Sequence, residues 1–197
     1  MAVDEAILQM SPALPILRLY RWAAPVVTFG YFQNVAGLEC PPGVPLQRRW
    51  TGGGVVEHGE DFAYSLILPA RDRLTRGRAQ DSYQVIHRCL AQSLVQCGLP
   101  AFLAEEAAVA GIGCFQNPVA GDVLCSGKKI AGAAQRRGRL GVLHQGSVLA
   151  SCPGLATIFP SILSLRTATV TLDATTKAAA DRLDAEKYST DGWKSLR

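Results

Sequence analysis

From residue 16 to residue 68 the chain is cut by glycine and proline into short apolar stretches, and this spacing limits the folds open to it. ILRLYRW (16–22) alternates apolar and polar side chains, the pattern of a half-buried strand. VVTFG (26–30) reads as a second strand, and a proline- and glycine-rich loop follows at 41–45. LQRRW (46–50) reads as a third strand and Gly52-Gly53-Gly54 as a tight loop. VVEH (55–58) and FAYSLIL (62–68) then read as two more strands. Further on, 122–126, 128–134 and 141–150 read as strands joined by turns at Gly127 and Gly138. Helices frame them. Residues 1–10 have an amphipathic pattern that Pro12 and Pro15 end. Residues 81–97 place Val85 with Cys89, and Ile86 with Leu90 and Leu94, at i, i+4 spacing on one face. Asp81 or Ser82 can cap that helix and Gly98 can close it. A polar helix is expected at 174–187. So many adjacent strands imply an α+β fold with a mixed, largely antiparallel sheet flanked by helices.

At 197 residues, 48% hydrophobic and 18% charged, the chain suits one domain over 1–197 with a sizeable core. No apolar run approaches the roughly 20 residues of a membrane span. Asp4 and Glu5 stand where a signal peptide needs Lys or Arg, so a cytoplasmic protein without membrane association is expected. Cys40, Cys89, Cys97, Cys114, Cys125 and Cys152 are scattered without a CxxC pair. They predict neither a disulfide framework nor a metal site, but small buried thiols. Positive charge clusters in Arg48–Arg49, in Arg71, Arg73, Arg76 and Arg78, and in Lys128, Lys129, Arg136, Arg137 and Arg139. These are either solvated loops or a rim that steers an acidic protein or a phosphate. Without interleaved aromatics they do not suggest nucleic acid.

Two segments carry candidate chemistry. In RRWTGGGVVEHGEDFAYSL (48–66), three glycines permit positive φ and close backbone approach to a ligand. Their N–H groups suit a carboxylate, phosphate or thioester carbonyl; the competing reading is a hairpin turn. Arg49, His58 and Asp61 flank this loop. In CFQNPVAGDVLCSGKKIAGAAQRRGRLGVLHQGSV (114–148), Lys128 and Lys129 precede the small residues Ile-Ala-Gly-Ala-Ala. A lysine beside such a surface can hold a carbonyl oxygen as a point charge, or it can be an ordinary hairpin lysine.

Taken together, the two segments resemble the lipoate-protein ligase and octanoyltransferase superfamily, which is related to the biotin ligases. Arg49-x-Thr51-Gly52-Gly53-Gly54-x-x-x-His58 is similar to its RRxSGGGxxxH motif, and Gly127-Lys128-Lys129-Ile130-Ala131-Gly132 to its GKKIxG motif. Leu143-His144-Gln145-Gly146-Ser147 resembles its LHHG[ST] strand, and MAVDEAIL and LRLYRW…VVTFGYFQN extend the likeness over roughly residues 1–150. The resemblance implies a biotin-ligase-like catalytic domain with Lys129 as the essential lysine. It also implies an acyl site formed by Arg49, Thr51, Gly52, Gly53, Gly54, His58, Gly132, Ala133, His144 and Gly146. The length leaves no room for the accessory domain of many lipoate ligases.

The superfamily offers two chemistries. Cys114, in Cys-Phe-x-x-Pro and 15 residues before Lys129, resembles the nucleophile of cysteine-type octanoyltransferases. A thiolate is a strong nucleophile, and a thioester intermediate keeps the energy of the incoming thioester, so no cofactor is required. That reading implies acyl carrier protein as donor, octanoate or lipoate as ligand, and a lipoyl domain or glycine-cleavage H-type protein as acceptor. Asp122 points instead to an ATP-dependent ligase using Mg2+ and a lipoyl-AMP intermediate. A non-catalytic module that binds lipoyl domains is a more remote alternative. The expected activity is therefore octanoyl or lipoyl transfer through Cys114.

Overall fold

The short strands assemble into two sheets. The computed structural model describes residues 1–107, 117–164 and 166–196. Helix α1 (Ala2–Gln9) precedes β1 (Ile16–Tyr20), β2 (Val26–Phe29), β3 (Leu46–Arg48), β4 (Val56–His58) and β5 (Phe62–Pro69). Then come α2 (Arg73–Arg76), α3 (Ala79–Gln96), β6 (Ala101–Leu103), β7 (Val123–Cys125), β8 (Lys128–Gly138) and β9 (Gly141–Val148). The chain continues through α4 (Leu155–Leu163), α5 (Ala174–Leu183), a π-helical turn (Asp184–Tyr188) and α6 (Asp191–Lys194). The larger sheet has the order β1-β5-β9-β8-β7-β6 and is antiparallel throughout. The smaller sheet, β3-β2-β4, pairs β2 parallel to β3 and antiparallel to β4. The expected α+β class, with a largely antiparallel sheet flanked by helices, is therefore the observed one.

Alternation along β5 and β9 divides the core between the two faces of the large sheet. Tyr64, Leu66, Leu68, Val142 and Val148 pack with Ile86, Leu90 and Leu94 of α3 and Phe159 of α4. Ile67 and Leu143 turn the other way, onto Ile7 and Leu8 of α1. The last residues close over this second face. Tyr188 and Lys187 donate to Glu5 of α1, each at 2.6 Å, and Gln47 of β3 donates to the Tyr188 carbonyl at 2.8 Å. Among the described residues no helix is long and apolar enough to cross a membrane.

Several expectations need correction. Helix α3 begins at Ala79, and Asp81 lies inside it, accepting from the Arg78 backbone N–H at 3.2 Å. Of its two apolar rows only Ile86, Leu90 and Leu94 are buried; Val85 is exposed and Cys89 half-buried. Strand β8 runs past the expected 134 to Gly138. Its polar end survives in a strand because each arginine has a partner. Arg136 stacks over Tyr31 and Trp50, and Arg137 donates to the carbonyls of Thr75 (2.6 Å) and Gly77 (2.9 Å). Arg48 and Arg49 are buried rather than solvated or on a rim. Arg48 sends all five donors to backbone carbonyls: Tyr31, Gln33, Trp193, Lys194 and Leu196. The expectation of no disulfide is also overturned. Packing of α3 against α4 brings Cys97 and Cys152 to a Cα–Cα separation of 5.8 Å, and the two are bonded. Cys40, Cys89 and Cys125 are free and half-buried, not fully buried.

Two histidines on the α3 face are sealed from water. His87 donates through Nδ1 to the Gly121 carbonyl at 2.7 Å, and burial pushes its pKa down to about 4. Burial, then the neighbouring His87, pushes His144 well below the usual range. Both are therefore neutral in the fold, while the unfolded chain takes up protons near pH 6.5. Their contribution is complete above that pH and declines as pH falls from 6.5 towards 4, because there the unfolded state binds more protons. For His87 alone the loss at pH 5 amounts to about 2 kcal/mol. Urea unfolding at pH 7.5 and pH 5 tests this, and equal stabilities would contradict it.

Candidate active site

The strand that carries Lys129 departs from regular alternation. Leu124 pairs with Lys129, yet the next residue back, Val123, pairs with Ala131, so Ile130 bulges out of the β7–β8 ladder. Strict alternation would send Lys129 to the same face as Ala131, into the α3 core. The bulge re-aims it beside Gly132. A Cβ on Gly132 would lie 2.6 Å from Lys129 Cε and 2.8 Å from its Nζ, so only glycine leaves the lysine its path. The Lys129 ammonium meets Asp122 Oδ2 at 2.8 Å, with both side chains almost fully buried. Asp122 also accepts from the Val119 backbone N–H at 2.7 Å and from the Tyr83 hydroxyl. That hydroxyl in turn accepts from Ala133 N at 3.1 Å. Burial and the facing Asp122 push the Tyr83 pKa up, which keeps the phenol neutral.

Lys129 lines a mostly apolar pocket between the two sheets. The glycine loop forms one wall. Gly53 has φ +86°, a conformation that side chains with a Cβ rarely adopt. Arg49 holds the loop through Nη2, which donates to the carbonyls of Gly52 (3.1 Å) and Gly54 (2.6 Å). At the end of β2, Gly30 packs so closely that its Cβ would lie 2.0 Å from the Gly53 carbonyl oxygen. His58, at the end of β4, bonds Asp61 through Nδ1 at 2.7 Å and Thr28 through Nε2 at 2.8 Å. Trp22 packs against its ring with centroids 4.9 Å apart. Burial pushes the Asp61 carboxyl up, but hydrogen bonds from His58 and Ser147 hold it below its ordinary range.

Of the residues expected from sequence, Arg49, Gly53, His58, Lys129, Gly132, Ala133 and Gly146 line this pocket. Gly146 does so through its backbone, since a Cβ there would strike the Tyr64 ring at 2.3 Å. Gly52 and Gly54 contribute the carbonyls bound by Arg49. Thr51 donates to Gln145 at 2.9 Å, and Gln145 donates to Asp4 of α1 at 2.7 Å, which ties the loop to the helix. His144, expected in the acyl site, instead faces α3, bonded to Tyr64 at 3.1 Å and Gln135 at 3.0 Å. Asp122 is committed to Lys129, Tyr83 and the Val119 N–H. Cys114 lies outside the described residues. Sequence reading assigned no role to Thr28, Gly30, Tyr83, Gln145 or Ser147. A threonine within the apolar VVTF was the local sign for Thr28; Gly30, Gln145 and Ser147 stood within the family-like segments without a role of their own, and Tyr83 becomes visible only through packing.

The comparisons agree with this architecture. Residues 1–177 match the family described as the lipoyl protein ligase A/B catalytic domain. An octanoyltransferase LipM of Moorella thermoacetica is 34% identical over 169 residues, covering 78% of this chain and 61% of the relative. The octanoyltransferase LipM of Kyrpidia tusciae is 36% identical over 166 residues, covering 76% and 60%. The alignments thus span about three fifths of these relatives. In fold the chain is similar to lipoate-protein ligase A solved with ATP, with TM-score 0.84, 23% identity and coverage of 98% and 92%. It is likewise similar to a bipartite lipoate-protein ligase from Thermoplasma acidophilum, with TM-score 0.82, 23% identity and coverage of 100% and 91%. With the glycine loop and Lys129 facing one pocket, and the match running through nine tenths of the chain, the protein belongs to the lipoyl protein ligase A/B catalytic-domain family.

Proposed function

We propose that this chain is an acyltransferase that moves an octanoyl or lipoyl group onto a specific lysine of a lipoyl-type carrier domain. The observation that carries the proposal is Lys129, a buried ammonium on the wall of an apolar pocket bounded by the glycine loop. An acyl chain suits the apolar wall, and a carbonyl oxygen gaining negative charge suits the ammonium. The relatives named octanoyltransferases support octanoyl as the group, and a carrier-bound thioester is the donor that a thiol nucleophile at Cys114 would use without ATP. The Thermoplasma acidophilum ligase was studied with its E2 lipoyl domain, which supports a lipoyl domain as the acceptor class. A cytoplasmic location accords with these substrates.

In the proposed reaction the Cys114 thiolate attacks the carbonyl carbon of the donor thioester. The carrier's thiolate leaves and takes up a proton. The ε-amine of the acceptor lysine then attacks the enzyme thioester, forms the amide, releases the Cys114 thiolate and gives its proton to solvent. Lys129 steadies the carbonyl oxygen in both tetrahedral transition states. The ATP-dependent alternative needs a carboxylate for a nucleotide-bound metal. Asp122, its candidate, has both oxygens engaged by Lys129, Tyr83 and Val119, and that favours the transferase.

The decisive measurement is intact mass after incubation with octanoyl carrier protein in the absence of ATP. An octanoyl adduct is expected, and it should disappear in Cys114→Ser, because an alcohol has too high a pKa to match a thiolate without a dedicated base. Absence of the adduct, with transfer dependent on ATP, would overturn the transferase in favour of the ligase. Lys129→Ala should lower the transfer rate by about 10²–10³. Lys129→Arg should not restore it, because a planar guanidinium does not replace a point charge. Gly132→Ala should approach the same loss by displacing Lys129, and near wild-type rates in that variant would show that the lysine has another route to the pocket.

A further inference from the structure

Three side chains join the glycine loop to a buried carboxylate in one unbroken series. Asp61 is fully buried and is held by three donors: His58 Nδ1, Ser147 Oγ at 2.6 Å and Gly59 N at 3.1 Å. An ionised carboxylate only accepts, so His58 carries its proton on Nδ1. Nε2 on the other side of the ring shares a hydrogen bond of 2.8 Å with the Thr28 hydroxyl. The Thr28 oxygen accepts from Arg49 Nη1 at 2.7 Å. Arg49 Nη2 continues to the carbonyls of Gly52 and Gly54. Arg49 can only donate and the Asp61 carboxylate only accepts, so these two fixed ends hold Thr28 and His58 between them.

We propose that Asp61 is a positioning residue for the acyl pocket, acting through His58, Thr28 and Arg49 to set the shape of the Gly52–Gly54 loop against the ligand. It touches no reacting atom. Its effect reaches the pocket because Arg49, His58 and Gly53 all line it, and a Cβ on Gly53 would lie 3.2 Å from Arg49 Nη2. Replacing the carboxylate with an amide offers His58 a donor or a weaker acceptor. The ring is then no longer held by a carboxylate, which disturbs its bond to Thr28 and, through Thr28, the seat of Arg49. The inference rests on the proposal that the pocket holds an acyl group.

The test compares Asp61→Asn, Thr28→Val and Thr28→Ser in transfer from octanoyl carrier protein, with calorimetric binding of octanoate measured alongside. Thr28→Val, nearly isosteric but without the hydroxyl, should raise both KM and the octanoate Kd about tenfold, with kcat much less affected. Thr28→Ser should recover most of that loss. Asp61→Asn should match Thr28→Val, and the double variant should be no worse than the worse single one, because both cut one series. Equal defects in Thr28→Ser and Thr28→Val would assign Thr28 to packing and overturn the relay, as would additive losses. Should Asp61→Asn fail to fold, the valine and serine variants still decide the matter. A wild-type chain that neither transfers octanoyl nor binds octanoate would overturn both this inference and the function on which it rests. An active wild type whose Thr28→Val variant binds octanoate normally would overturn the relay alone.

Discussion

Burying Lys129 against Asp122 is the constraint around which the rest of the structure is arranged. Removing two opposite charges from water costs several kcal/mol per ion unless the pair is close and its remaining lone pairs are satisfied. Here the contact is 2.8 Å, and Tyr83 and the Val119 N–H complete the carboxylate. Tyr83 comes from α3, Asp122 from just before β7 and Lys129 from β8. The pair therefore pins the helix on one side of the sheet to two strands within it. The bulge at Ile130 is what lets a lysine on a core strand reach the pocket, and glycine at 132 gives its side chain room. A charge held this way needs little rearrangement when charge develops on a substrate, the property that electrostatic catalysis requires.

The other buried cations serve shape. Arg48 binds five backbone carbonyls from two distant segments, the loop at Tyr31–Gln33 and the end of the chain at Trp193–Leu196. Its neighbour Arg49 does the same for the glycine loop. Adjacent arginines on an extended chain point in opposite directions. One thus fastens the outer tail and the other the inner pocket wall, and a turn of β3 would exchange them. The tail in turn packs on α1 through Glu5, while Asp4 of the same helix takes Ser65 at 2.8 Å and Gln145 at 2.7 Å, the residue that holds Thr51. The loop is braced by Arg49, which donates to its Gly52 and Gly54 carbonyls, and by Thr51, which donates to Gln145, as a run of glycines without side chains requires.

Much of this was legible in the chain. The strands β1 and β5, the turn at Gly127 and the i, i+4 row Ile86–Leu90–Leu94 follow from local pattern, and each is present. Strand β6 and helices α2 and α6 were missed because three or four residues carry too little periodicity. Helix α4 was missed because Pro160 lies within it. In β8, the polar run Gln135–Arg137 looked like a turn because its stabilising partners, Tyr31, Trp50, Thr75 and Gly77, lie far away in sequence.

The site divides along the same line. Read from the sequence, the likeness of two motifs to one family put a glycine triplet and a lysine beside small residues in one site, and both motifs answer backbone-level requirements: positive φ at Gly53 and space at Gly132. Tertiary structure decided where side chains point. It turned Lys129 to the pocket through a one-residue bulge and sent His144 to the opposite face. It gave Asp122 to the lysine and joined Asp61 to the glycine loop through Thr28. Those outcomes depend on register and on contacts between residues dozens of positions apart. A single displaced residue in a strand reverses the face that every following side chain occupies, and local sequence carries no record of that displacement.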